Sequence, residues 1–149
     1  MSKAIERMQK IINGEISPPP IAKLIGFKFV HIEYGSSIFE LDCDTEKHAN
    51  PMGTVHGGIL CDLADVAMGT AYSSTLNDDE TCTTVELKIN FLKPVWNEKL
   101  IARAKVMHKG RTTGFVQCDI FNESEKLVAY ATSTFMTLRG EKAKGRELQ

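Results

Sequence analysis

One long helical pattern between Gly57 and Ser74 constrains the fold of this 149-residue chain more than any other segment. Apolar residues recur in it at spacings of three and four, which is the repeat of one helix face. These residues are Leu60, Leu63, Ala64, Ala67, Met68 and Ala71. Ile59 and Val66 widen the face until it covers most of the circumference. Helices that are apolar nearly all round are buried, so we expect this helix to lie in the core.

The same helix carries two features that point to acyl-transfer chemistry. Gly57 and Gly58 stand at its predicted start, where free N–H groups and a partial positive charge favour a negative oxygen. Asp65 follows about two turns later inside the apolar pattern, and a buried carboxylate is costly unless it is paired or used. An oxyanion site and a carboxylate are two parts of an acyl-transfer site. The alternative is a glycine turn followed by a solvated aspartate; Asp62 is interpreted as a surface or interface charge.

Alternation of apolar and polar residues predicts six strands, two before the helix and four after it. They cover residues 27–33, 36–44, 83–91, 100–107, 116–120 and 127–138. Short turns between consecutive strands predict antiparallel neighbours, with the last four strands forming a meander. Such a sheet must cover its apolar face, and the only long apolar element is the helix. We therefore expect an α+β fold, in which a curved antiparallel six-stranded sheet wraps round a long central helix.

The remaining segments predict one domain with short flanking parts. Residues 1–26 form an N-terminal helical segment that packs on the domain, 27–139 form the domain itself, and 140–149 form a charged C-terminal tail. Within the first segment, Ser2 caps a helix that Gly14 ends, and one more helical turn follows the three prolines before Gly26.

Composition and charge exclude several classes of partner. The net charge is −1, which gives no bulk attraction to nucleic acid or to an anionic membrane. No apolar run approaches the ~20 residues that span a bilayer, and the first residues lack an apolar signal core. The four cysteines are widely spaced without a Cys/His cluster, so we predict neither a metal site nor a cofactor. These features favour a cytoplasmic protein with reduced thiols.

The loop before the helix carries the most specific signal in the chain. From Asn50 to Gly58 it reads Asn-Pro-Met-Gly-Thr-Val-His-Gly-Gly, and Leu-Ala-Asp follows at 63–65. This pattern resembles the signature of the hotdog-fold acyl-CoA thioesterases, especially the PaaI-like and thioesterase superfamily member 2-like branch, and the resemblance extends over about residues 20–138. It implies a hotdog fold and hydrolysis of an aryl- or fatty-acyl-CoA to free acid and CoA. Asp65 would be the nucleophile or the general base. The Gly57 amide would form the oxyanion hole, and Gly58 beside it would contact the substrate.

The resemblance also implies roles for three supporting residues. Asn50 would orient a water molecule or the thioester, and His56 would assist near the leaving sulfur. Thr84 occupies the position of a water-holding serine in mammalian relatives; it keeps the hydroxyl but adds a methyl group that stiffens χ1. The alternatives are an Asx-turn at Asn50 and a helix-entry residue, hydrogen-bonded to the loop, at His56.

An acyl-CoA substrate requires cations for its phosphates. The turn formed by Lys109, Gly110, Arg111 and Thr112 is the best local candidate, because a glycine turn exposes N–H groups beside two cations. Lys93 is the second candidate.

The resemblance also implies a homodimer or a dimer of dimers, which is a homotetramer. In it, Gly57 of one subunit would meet Asp65 of another. The alternative functions are a non-catalytic acyl-CoA-binding or sensing hotdog protein and, ranked last, a hotdog dehydratase.

Overall fold

The computed structural model describes residues 2–146 and 148. Its helices are α1 (Lys3–Ile12), α2 (Pro20–Ile25), α3 (Thr45–His48) and α4 (Gly57–Ser73), and a 3-10 turn covers Gly140–Lys142. Its strands are β1 (Lys28–Glu33), β2 (Ser36–Asp42), β3 (Thr81–Phe91), β4 (Lys99–Lys109), β5 (Thr113–Asn122) and β6 (Leu127–Leu138). The predicted α+β architecture, an antiparallel six-stranded sheet with one long helix, is confirmed.

Local chemistry explains the short helices at the N-terminal side. The Ser2 hydroxyl accepts a hydrogen bond from the amide of Ile5 at the start of α1, as predicted. Gly26 ends α2 with φ of 100°, a left-handed conformation that costs glycine little. The sequence pattern does not predict α3, although the side chain of Asp44 caps it by accepting from the amide of Glu46. α1 packs against β1, while the division of the chain at residues 26 and 139 stays a prediction.

The predicted meander is wrong in its first strand. The sheet order is β1-β2-β4-β5-β6-β3, so β3 pairs with β6 at one edge and β4 lies between β2 and β5. The segment 92–98 is therefore a crossover, and its seven residues can span about 23 Å, more than the roughly 15 Å across three strand spacings. Val95 and Glu98 hold it in place: their carbonyls accept from the amides of Val55 and Cys43.

The sheet covers only one side of α4. All six residues of the predicted apolar face are buried, and full burial of one such leucine contributes about 1.5–3 kcal/mol. On the opposite side Ile59 and Val66 are partly buried, and Asp62 and Asp65 are exposed. The prediction of a helix buried all round, with a buried Asp65, is therefore wrong for a single chain. The exposed side of α4 is available to another molecule.

Candidate active site

The start of α4 has the features of an oxyanion site. Gly57 and Gly58 are its first two residues, and the side chain of the N-cap residue His56 makes no capping hydrogen bond. First-turn N–H groups have no intrahelical partner, and within residues 2–146 and 148 neither glycine amide has an acceptor. A Cβ at Gly57 would lie 2.9 Å from Cζ of Phe91, so the ring of Phe91 occupies the space that a side chain would take.

His56 is exposed and lies beside this helix start. Its backbone amide donates to the carbonyl of His48 at 2.7 Å, which ties the helix entry to the preceding loop. Its ring lies over Gly58, where a Cβ would be 3.0 Å from Cδ2 of the imidazole. In the described part of the chain the ring itself has no hydrogen-bond partner, so the imidazole is free to contact a ligand at the helix start.

Asn50 shapes the loop that leads to the helix. Its Oδ1 accepts from the amides of Met52 and Thr54 at 2.9 and 3.3 Å, and its Nδ2 donates to Oγ1 of Thr54 at 2.9 Å. The Asx-turn that the sequence analysis left open is therefore present. Since an amide nitrogen has two hydrogens, one donor remains for a substrate or water molecule.

A groove of about 440 Å³ begins at the helix start, and we call it the Gly57 groove. It is formed by the loop residues Asn50, Met52 and Thr54, by Gly57 and Leu60 of α4, and by residues 91–95. Its walls are mostly apolar, with the amide of Gly57 and the cation Lys93 among them. This combination suits an apolar ligand with one polar group held at the helix start.

Asp65 lies on the exposed side of α4 and is held by Thr84 on β3. Oγ1 of Thr84 donates to Oδ1 of Asp65 at 2.9 Å. The structure thus brings together two residues that the sequence separates by a turn and an acidic loop. A hydroxyl group that hydrogen-bonds a carboxylate orients it and leaves its second oxygen available to a water molecule or a substrate.

A β-bulge aims Thr84 at the helix. Strict alternation groups Thr84 with Glu86 and Lys88 on the polar face, and this grouping is wrong. The pairing of β3 with β6 shifts register between Thr84 and Glu86, so Val85 is the extra residue. One extra residue inverts the direction of the side chains before it, and Thr84 therefore faces α4. Bulges are known to redirect side chains in this way beside active sites.

We expect Thr84→Val to lower kcat of thioester hydrolysis about tenfold, because it removes the hydroxyl donor while it keeps the branched shape. Thr84→Ser keeps the donor and should stay within about threefold of the wild type. Steady-state assays of thiol release measure both. Equal activity of the valine and serine variants would show that the contact with Asp65 has no part in turnover.

Asp62 and Asp65 are two like charges that interact on the exposed side of α4. Partial desolvation, and then the charge of Asp65, raise the pKa of the Asp62 carboxyl. Desolvation also raises the pKa of the nearby thiols Cys61 and Cys82, which keeps them protonated and disfavours them as nucleophiles. Among the residues that the structure describes, no cluster of three metal-ligating side chains occurs. Of the two carboxylates, Asp65 is the one that the hydroxyl of Thr84 contacts, and its catalytic role stays a prediction.

The predicted phosphate turn lies at the far end of α4 from the Gly57 groove. Nζ of Lys109 lies 5.0 Å from the ring centre of Tyr72 and donates to Thr137 at 3.3 Å, so the ammonium is turned inward. The amide of Gly110 donates to the carbonyl of Thr113 and is not free for a phosphate. Of this turn, Arg111 and Thr112 present exposed side chains. The roles of all four residues in CoA binding stay predictions.

Comparison with known proteins decides the family. A sequence profile of the thioesterase superfamily matches residues 52–129, which contain the helix start, Asp65 and Thr84. The chain belongs to the thioesterase superfamily. A protein of Saccharolobus solfataricus is 32% identical over 137 residues, which are 92% of each chain. The 1,4-dihydroxy-2-naphthoyl-CoA hydrolase of Listeria monocytogenes is 28% identical over 82% of this chain and 98% of its own.

The acyl-coenzyme A thioesterase PaaI of Escherichia coli is similar in both sequence and structure. It is 30% identical over 72% of this chain and 75% of its own length. Its solved structure superposes with a TM-score of 0.80 over 93% of this chain and 98% of PaaI. The predicted hotdog fold and the predicted thioester hydrolase of the PaaI-like branch are thereby confirmed. No helix among residues 2–146 and 148 is long and apolar enough to cross a membrane.

Proposed function

We propose that this thioesterase hydrolyses acyl-CoA at a site shared by two copies of the chain. Asp65 comes from one copy, and the amide of Gly57 comes from the other. The observation that carries the proposal is the pair formed by Asp65 and Thr84 on an open helix face. The names of the relatives from Listeria and Escherichia support acyl-CoA as substrate.

Distance along the helix favours a shared site. Asp65 follows Gly57 by eight residues, which at 1.5 Å each separates them by about 12 Å. An oxyanion donor must lie about 3 Å from the carbonyl oxygen, and the attacking group must approach the adjacent carbon. One chain does not satisfy both requirements, whereas two copies related by a two-fold axis can.

The edge strand β3 offers the surface for such a dimer. β3 is eleven residues long, and among the described residues it pairs with β6 alone, so its other edge carries unpaired backbone groups there. Val85, the bulge residue, is 54% exposed on it. Pairing through this edge would also cover the exposed side of α4, where Asp65 lies. A further dimer of dimers stays part of the proposal.

Two mechanisms of hydrolysis are chemically consistent with this site. As general base, Asp65 takes a proton from water while the water oxygen attacks the carbonyl carbon, and the Gly57 amide stabilises the oxyanion. Collapse expels the CoA thiolate, which receives the proton from Asp65. As nucleophile, the carboxylate attacks directly, forms a mixed anhydride with release of thiolate, and water then cleaves the anhydride. In this proposal Asn50 and His56 orient the thioester.

The acyl group is aryl or fatty in this proposal, because the Gly57 groove has mostly apolar walls. A non-catalytic acyl-CoA-binding protein is the second candidate, but it would have no use for a carboxylate that a hydroxyl group orients. Thiol release across phenylacetyl-, hydroxybenzoyl-, short-chain and long-chain acyl-CoA tests hydrolysis. Binding of these esters without any release would favour the binding protein.

Complementation between two inactive variants tests the shared site. Asp65→Asn removes the carboxylate, and Gly57→Pro removes the oxyanion donor. Co-expression with two different tags and tandem purification gives a heterodimer with one intact site and one doubly altered site. We expect about half of the wild-type turnover per dimer, since a two-fold dimer has two equivalent sites. Activity no higher than that of the parent variants would show that both residues act within one chain.

A further inference from the structure

We propose that Phe91 is the residue that sets acyl specificity, because its ring forms the wall beside the reacting carbonyl and favours flat aryl groups. This inference rests on the proposed function and names its substrate class. Phe91 is the last residue of β3 and faces α4, where three of its ring carbons lie 2.9–3.4 Å from the position of a Cβ on Gly57. Apart from the chain neighbours of Gly57, the ring is therefore the nearest group to that Cβ position, beside the amide that would hold the oxyanion.

The ring is available to a ligand although it packs on the helix. Phe91 is 53% exposed and lines the Gly57 groove with Met52, Leu60 and Leu92. About half of the residue's surface is therefore accessible to a ligand. A carbonyl group held by the Gly57 amide would place its acyl substituent within contact distance of this ring. Aromatic pairs gain about 0.5–1.5 kcal/mol beyond the burial of their area, which an alkyl chain does not gain.

Leu92 provides a matched control. It is the next residue, lines the same groove and has nearly the same exposure, 54% against 53%. The three atoms nearest to a Cβ on Gly57 all belong to Phe91 and none to Leu92. A change at Leu92 therefore alters the apolar area of the groove without a change in the wall beside the carbonyl.

The experiment measures the ratio of kcat/KM for phenylacetyl-CoA to kcat/KM for octanoyl-CoA. We expect Phe91→Ala to lower this ratio about tenfold, the upper end of the aromatic pair effect. Phe91→Tyr keeps the ring and should retain the ratio, and Leu92→Ala should change it by less than about threefold. The melting temperature checks the fold of each variant.

Gly57→Ala tests the role of Phe91 independently, because it changes the helix residue that the Phe91 ring contacts. The new methyl group would push the Phe91 ring away, and the ring can move because its far end makes the contact. We expect Gly57→Ala to lower the ratio in the same direction. The double variant Gly57→Ala/Phe91→Ala should show no further shift, since residues that act through one contact are not additive.

An unchanged ratio in Phe91→Ala, or an equal shift in Leu92→Ala, would overturn the role of Phe91 while hydrolysis itself stands. Additive shifts in the double variant would also overturn it. If the wild type releases no thiol from any CoA ester, then the proposed function fails, and the specificity proposal fails with it. The two failures are thus distinguished by the activity of the wild type alone.

Discussion

Replacement of Asp65 by asparagine should lower kcat about 100- to 10,000-fold on every CoA thioester that the wild type hydrolyses, the range expected for a positioned proton-transfer group. Asparagine keeps the size of the side chain and can still accept the hydrogen bond from Thr84. It has neither a basic oxygen for a water proton nor a nucleophilic carboxylate. The folded chain should tolerate the change, because Asp65 is exposed in it.

Asp62→Asn is the control for this prediction. Asp62 lies one turn earlier on the same exposed helix face, and its removal takes away the same charge. We expect kcat within about threefold of the wild type, since surface charges contribute little. Thiol release under saturating substrate measures both variants, and analytical ultracentrifugation compares their oligomeric state. Similar losses in the two variants would indicate a shared electrostatic effect rather than a catalytic role of Asp65.

Isotope labelling of the wild-type protein can separate the two routes of attack. A single turnover in ¹⁸O-labelled water leaves the label only in the released acid if Asp65 activates the water molecule. If Asp65 is the nucleophile, water can attack the mixed anhydride at the Asp65 carbonyl and leave label in the protein. Mass spectrometry of the peptide that contains residues 57–73 measures this label.

The central helix could be predicted from sequence because its signal is local. The spacing of Leu60 and Leu63 with their neighbours requires one buried face, and the structure shows it. The position of β3 in the sheet could not be predicted from local sequence. It depends on which strand the seven-residue crossover after β3 leads to. Segment 92–98 contains Pro94, and we interpreted it as a turn, although its length also permits a crossover.

In the candidate site, too, features within one motif could be predicted from sequence, whereas contacts between distant elements could not. The glycine pair at the helix start follows directly from the motif, whereas the contact of Thr84 with Asp65 depends on a bulge that alternation alone conceals. The contact of Phe91 with Gly57 was missed because it joins two elements that are distant in sequence. A phenylalanine at the end of a predicted strand was its only signal in the sequence.

Replacement of Gly57 by proline should lower kcat about 100- to 1000-fold, which is the usual loss when one oxyanion donor is removed. Proline has no N–H group, yet it is favoured at the first position of a helix, where Gly57 stands. The preceding residue His56 already has φ of −63° and ψ of 135°, an extended conformation that proline requires before it. The fold should therefore survive the loss of the donor.

Gly57→Ala separates the donor from the shape of the site. Alanine and proline both add a Cβ that meets the Phe91 ring, but only alanine keeps the N–H group. The comparison therefore isolates the hydrogen bond to the oxyanion, and we expect the proline variant to be slower than the alanine variant by about 100-fold or more. Equal rates would move the oxyanion site away from Gly57. In that case Gly58, the second free amide of the helix start, would be the remaining donor at this end of α4.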